Sequence, residues 1–139
     1  MTAAIRKTVT VPLRPDAAFD LFTKGLDTWW PKAANGDRRP RKLRLDPRKG
    51  GHLTETRADG ETARWATVTR WEPGRNLSLA WVHGGDADEA SEVVVVFTPV
   101  DDGTRVDLTH AGIGSRRTEM AMLWTHAFLR LPLGRPVFA

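Results

Sequence analysis

Two residues carry the titratable chemistry worth weighing in this chain, and both sit on strand faces that alternation turns inward. Glu55 shares its face with Leu53 in "HLTET", and His110 shares one with Val106 and Leu108 in "TRVDLTH". A carboxylate in an apolar cavity has its pKa raised, so Glu55 could anchor a polar ligand group or act as a general base. A neutral imidazole at His110 could hydrogen-bond a ligand or move a proton. The plainer roles are an exposed edge position or a partner for one of the many arginines at Glu55, and a histidine satisfied by neighbouring groups at His110, since a lone buried charge is costly. His52 alternates against Glu55 and reads as exposed, His83 lies in a glycine loop and His126 on a helix flank.

Other chemistries lack their residues. The four histidines are scattered, with no HxH, HxxxH or HxxE set, so no metal or other cofactor is expected. There is no cysteine and no G-x-S-x-G elbow, which leaves acyl transfer without a nucleophile. "GIGS" at 112–115 lacks the lysine of a phosphate loop and reads better as a helix start.

The unusual composition is aromatic: six Trp, five Phe and no Tyr in 139 residues. Trp29 and Trp30 stand side by side before Pro31. Indoles combine a large apolar surface with one N–H donor, which suits either a shaped core or a flat-walled pocket. We expect the pair to cover a cavity. The formal charge of +4 and the seven basic residues between 37 and 51 invite a nucleic-acid reading. Asp37 and Asp46 dilute that run and no recognition helix or stacking motif accompanies it, so neither nucleic acid nor membrane is expected as a partner. No apolar run spans a bilayer and no secretory leader is visible, which makes the cytoplasm the default location.

The length suits one domain over residues 1–139. "AIRKTVTVPL" alternates as a strand, and "RPDAAFDLFTK" opens a helix with Pro15 and Asp16 in its first turn. Gly25 divides this helical stretch in two, with Phe19, Phe22 and Leu26 on one face. About six strands follow, punctuated by "DG" at 59–60, "EPGRN" and "VDDG", as an antiparallel sheet requires. The chain then closes with "SRRTEMAMLWTHAFLRL", a helix capped at Ser115 and stopped by Pro132. Met120, Leu123, Trp124, Ala127 and Leu131 form its stripe, which Met122, Phe128 and Leu129 widen until the helix must be wrapped. The expected fold is α+β, a curved antiparallel sheet of six or seven strands around a C-terminal helix.

The ordered set "FDLFTKGLDTWWP", "GGHLTET", "DGETARWATVTRWEPGRNLSLAW", "SEVVVVFTP" and "DDGTRVDLTHAG", with Trp124 in the last helix, resembles one known group. It is similar to the activator-of-heat-shock-protein-ninety-ATPase homologues of the START-like (SRPBCC) superfamily, over roughly residues 5–131. The resemblance implies a helix-grip fold enclosing an apolar cavity, in a superfamily that binds lipids, hormones, polyketides and other apolar ligands and includes some enzymes. It places Trp29, Trp30, Glu55, Trp65, Trp81, His110 and Trp124 at the cavity as ligand-binding residues. Two departures stand out. The closing helix is short, and Leu123 occupies a position where glycine commonly precedes the tryptophan, so the cavity is expected to be smaller, more open or completed by a second subunit. Binding of a small apolar or aromatic molecule is therefore the leading expectation, with a homodimer plausible. The alternatives are a cyclase- or hydrolase-type enzyme using Glu55 or His110, and a module acting on a chaperone or regulatory partner.

Overall fold

A computed structural model describes residues 4–30, 42–57, 59–82, 91–113 and 117–133. Strand β1 (Ile5–Val11) is followed by helices α1 (Pro15–Phe22) and α2 (Leu26–Trp29). Six strands come next: β2 (Lys42–Leu45), β3 (His52–Thr56), β4 (Thr62–Glu72), β5 (Asn76–Trp81), β6 (Ser91–Val100) and β7 (Gly103–Ala111). Helix α3 (Arg117–Arg130) closes the chain with a short 3-10 turn at Leu131–Leu133. The expected Ser115 cap lies outside the described residues, as does Pro31.

All seven strands form one antiparallel sheet in the order β1-β7-β6-β5-β4-β3-β2. The crossover from β1 to the far edge is made by α1 and α2, and the remaining strands follow one another as hairpins. The sheet curls as a half barrel, with α1 against β6 and β7, α2 against β2, and α3 against β1. Alternation decides which side chains face the helices. On β7, Thr104, Val106, Leu108 and His110 are buried and point to one face, while Arg105 on the other is exposed.

One strand breaks that rule. In β4, Thr54 pairs with Arg64 but Leu53 pairs with Ala66, so Trp65 is the extra residue of a β-bulge. A bulge bends the strand and re-aims a side chain. Here Trp65 and Ala66 are both buried in succession. A second irregularity lies between Val68 and Arg70.

The β6–β7 hairpin turns over Asp101 and Asp102 into Gly103, whose φ is 149°. A Cβ there would stand 2.0 Å from the Val11 carbonyl oxygen. Gly103→Ala is accordingly expected to destabilise the fold by about 2–3 kcal/mol, read as a shifted urea midpoint at unchanged slope.

Helix α3 differs from the sequence expectation in one respect. Met122 and Leu129 do not widen the buried stripe, being 60% and 68% exposed. Met120, Trp124, Ala127 and Phe128, with Leu131 just beyond the helix, are buried on a single face, while Leu123 of the expected stripe is half-buried. Among the described residues no helix is long and apolar enough to cross a membrane.

A tryptophan-walled candidate binding site

The sheet's concave face, α2 and α3 bring five tryptophans into one cluster. Trp30 is its centre, with ring centroids 5.3 Å from Trp65, 5.5 Å from Trp124, 5.9 Å from Trp29 and 6.2 Å from Trp81. Trp81 in turn lies 5.2 Å from Trp124 and 5.9 Å from the His110 ring. Most of these contacts are edge-to-face or tilted, the arrangements that the quadrupole of an aromatic ring favours. Glu55, His110 and all five indoles are buried. Every site residue named from the sequence thus faces the interior, although Glu55 joins no ring contact.

Trp29 and Trp124 are anchored by their N–H groups. Trp29 Nε1 donates to the Leu21 carbonyl at 2.9 Å, and the Arg130 Nε–H reaches the Trp29 carbonyl at 3.2 Å, tying α2 to α3. Trp124 Nε1 donates to His110 Nδ1 at 2.9 Å. Since an indole nitrogen can only donate, His110 Nδ1 must be the unprotonated nitrogen and Nε2 must carry the proton. Nε2 faces the Ser91 hydroxyl at 2.6 Å, and that hydroxyl donates to the Trp81 carbonyl at 3.2 Å. The register explains the convergence. Trp81 pairs with Ser91 and Val93 with His110, so Ser91 and His110 are diagonal neighbours on the inner face.

This relay leaves His110 neutral with both ring nitrogens engaged. Burial pushes its pKa down to about 4, because the cation would lose its hydration. Glu55 is held differently. Its Oε1 accepts from Arg57 Nε at 3.3 Å and forms an ion pair with Nη2 at 3.2 Å. The buried carboxylate therefore has a cationic partner from its own strand end, the arginine pairing weighed for it from the sequence.

Between sheet and helices lies an apolar void of ≈ 10 Å³, lined by Phe22, Leu26, Trp30, Leu45, Leu53, Leu77, Leu79, Trp81 and Trp124. That is room for about one water molecule. The sequence led us to expect a roomier hollow; here the side chains of the sheet and helices, Trp30 among them, close in to leave only this gap. Of the seven candidate residues only Trp30, Trp81 and Trp124 line the void, and Trp29, Trp65 and His110 form the layer behind them. Glu55 stands two residues beyond Leu53 on the same inner face. The leucine floor was legible as the inward face of β5 and its neighbours. Ser91 was not, because a serine at a strand start gives no sign of a partner nineteen positions away.

The profile of the family described as "Activator of Hsp90 ATPase homolog 1-like protein" matches residues 12–131. The chain belongs to that family. No curated protein matches the sequence. Among solved structures, the Activator of Hsp90 ATPase homolog 1-like chain is similar to the Aha1 dimer from Colwellia psychrerythraea, at 16% identity and TM-score 0.72 over 94% of each chain. Protein MLL2253 from Mesorhizobium loti is similar at 19% identity and TM-score 0.71, again over 94% of each chain. At such identities these two likenesses concern the fold. A third, the anthrahydroquino-gama-pyrone synthase Txn09 solved as a complex, is 28% identical with TM-score 0.66 over 94% of each chain.

Proposed function

We propose that this family member binds a small apolar or aromatic molecule between the curved sheet and α3. In this reading Trp29, Trp30, Trp65, Trp81, Trp124 and His110 form the aromatic shell, and Glu55 is a polar contact at its margin. The observation that carries the reading is the apolar void at the meeting of Trp30, Trp81 and Trp124. Protein interiors pack to crystal-like density, so a gap at the seam between sheet and helices marks where the two layers part at least cost. The synthase likeness supports a flat, polycyclic class of ligand, because that relative's name describes such a molecule.

The same relative favours a second reading, an enzyme of cyclase type. Its proton would have to move through His110 or Glu55. The first has both ring nitrogens occupied and is neutral well below physiological pH, and the second is engaged by Arg57. Binding without turnover accords better with these commitments.

Native mass spectrometry of the protein purified from its own cells tests both the binding and the assembly. A retained small molecule, together with a mass giving one or two subunits, is the expected spectrum. The exposed Met122 and Leu129 on α3 are where a second copy would pack. A chain that comes out empty and gives no NMR shifts with a panel of flat aromatics would remove the reading. Conversion of any panel member would transfer support to the enzyme.

A further inference from the structure

Within that binding reading, the void and the ring geometry around it single out one wall residue. We infer that Trp30 is a displaceable plug: its indole stands in the slot the ligand takes, and the ligand is a planar aromatic of two or three fused rings.

The slot's shape is read from what fills it. Trp65 and Trp124 meet the Trp30 ring edge-on, at 61° and 89°, while Trp81 lies at a shallower 39°. Walls set this way around a flat bicyclic ring complement another flat ring, and a puckered or branched aliphatic of equal volume would lose those contacts. The adjoining void means that the indole does not fill the space completely.

Trp30 is also held less firmly than Trp29 and Trp124. Their N–H groups are spent on the Leu21 carbonyl and on His110. Trp30 Nε1 is buried with no hydrogen-bond partner among the described residues, although the residue is only 2% exposed. A buried donor without an acceptor is a standing penalty, and it is relieved when the ring swings out and the N–H reaches water. The backbone need not refold for that motion. Trp30 caps the four-residue α2 in extended conformation, and α2 is pinned separately by Asp27 Oδ1 accepting from the Leu43 N–H.

A plug and a permanent wall give opposite results when the indole is removed. With naphthalene as probe, Trp30→Ala should bind roughly tenfold or more tightly than the unmodified chain, because the site no longer spends affinity on opening. Weaker binding by the variant would make Trp30 a wall and overturn the inference, while the binding reading would stand. Fluorine NMR of the unmodified chain labelled with fluorotryptophan supplies the second measurement, with the Trp30 resonance assigned by its loss in Trp30→Phe. Naphthalene should move that resonance to a solvent-exposed position, and a resonance that stays put while naphthalene binds overturns the plug. This measurement decides the matter should Trp30→Ala fail to fold. Decalin, similar in size but puckered, should bind several-fold more weakly than naphthalene, and equal affinity would overturn the planar class. If neither chain binds either probe, the binding reading itself falls and the plug with it.

Discussion

Acidifying the protein from neutral pH to about pH 4 is expected to remove on the order of 3 kcal/mol of stability through His110 alone. The sign follows from a folded-state pKa depressed from 6.5 to about 4. Above 6.5 the imidazole is neutral in both states and the linkage contributes nothing. Between those two values the unfolded chain takes up a proton that the folded chain refuses, so stability falls steadily as the pH drops. Below about 4 the folded protein protonates too and the loss levels off. In the folded state that proton would arrive on Nδ1, where the Trp124 N–H already points, so the relay to Ser91 and Trp81 would begin to come apart. Urea unfolding at several pH values, set against the non-titrating His110→Asn, isolates the contribution. The asparagine amide oxygen offers Trp124 an acceptor in a similar place. Asp107 adds its own acid sensitivity, since Thr8 and Arg105 hold its carboxyl below the usual range despite the opposing effect of burial. It is present in both chains and cancels in the difference. Parallel curves for the two proteins would refute the assignment.

The second large effect is expected from Trp124→Ala, at about 4 kcal/mol or more. Emptying a buried Trp position costs roughly 3–5 kcal/mol, and the truncation also leaves His110 Nδ1 without its donor, adding about 1–3 kcal/mol. For a domain of this size the melting temperature should fall on the order of 10–15 °C, measured by calorimetry. Trp124→Phe gives an intermediate point. It keeps an aromatic ring against Trp30, Trp81 and Phe128 but deletes the N–H together with part of the bicyclic ring, so its loss should fall below that of Trp124→Ala. A phenylalanine variant as stable as the original chain would show that the bond to His110 adds nothing beyond packing.

The inward faces of the hairpin strands were legible from alternation alone, and His110 shows why. Val106, Leu108 and His110 follow a strict period of two, and all three are buried. Glu55 was legible by the same rule through Leu53. Trp65 resists that reading. With uninterrupted alternation its face would carry Thr67 and Thr69, a poor lining for a core. The bulges at Trp65 and near Thr69 let one strand present Trp65, Ala66 and Val68 inward. Only the resemblance to the family pointed Trp65 the right way, because an extra residue in a ladder leaves no local mark in composition. On α3 the error ran in the opposite direction. Met122 and Leu129 look like core residues by type, but the helix buries one face and those two lie outside it. The relay from Trp124 through His110 to Ser91 depends on register between strands far apart in sequence, which no single segment encodes.

The close packing of five indoles has an optical consequence. Chromophores whose centroids stand between 5.2 and 6.2 Å apart do not absorb and emit independently. Excitation delivered to any of them migrates to whichever has the lowest-energy excited state, so the group behaves as a single antenna with coupled circular-dichroism bands. Trp71 instead packs against Phe19 at 4.9 Å. Light absorbed by any of the five therefore reports on one place.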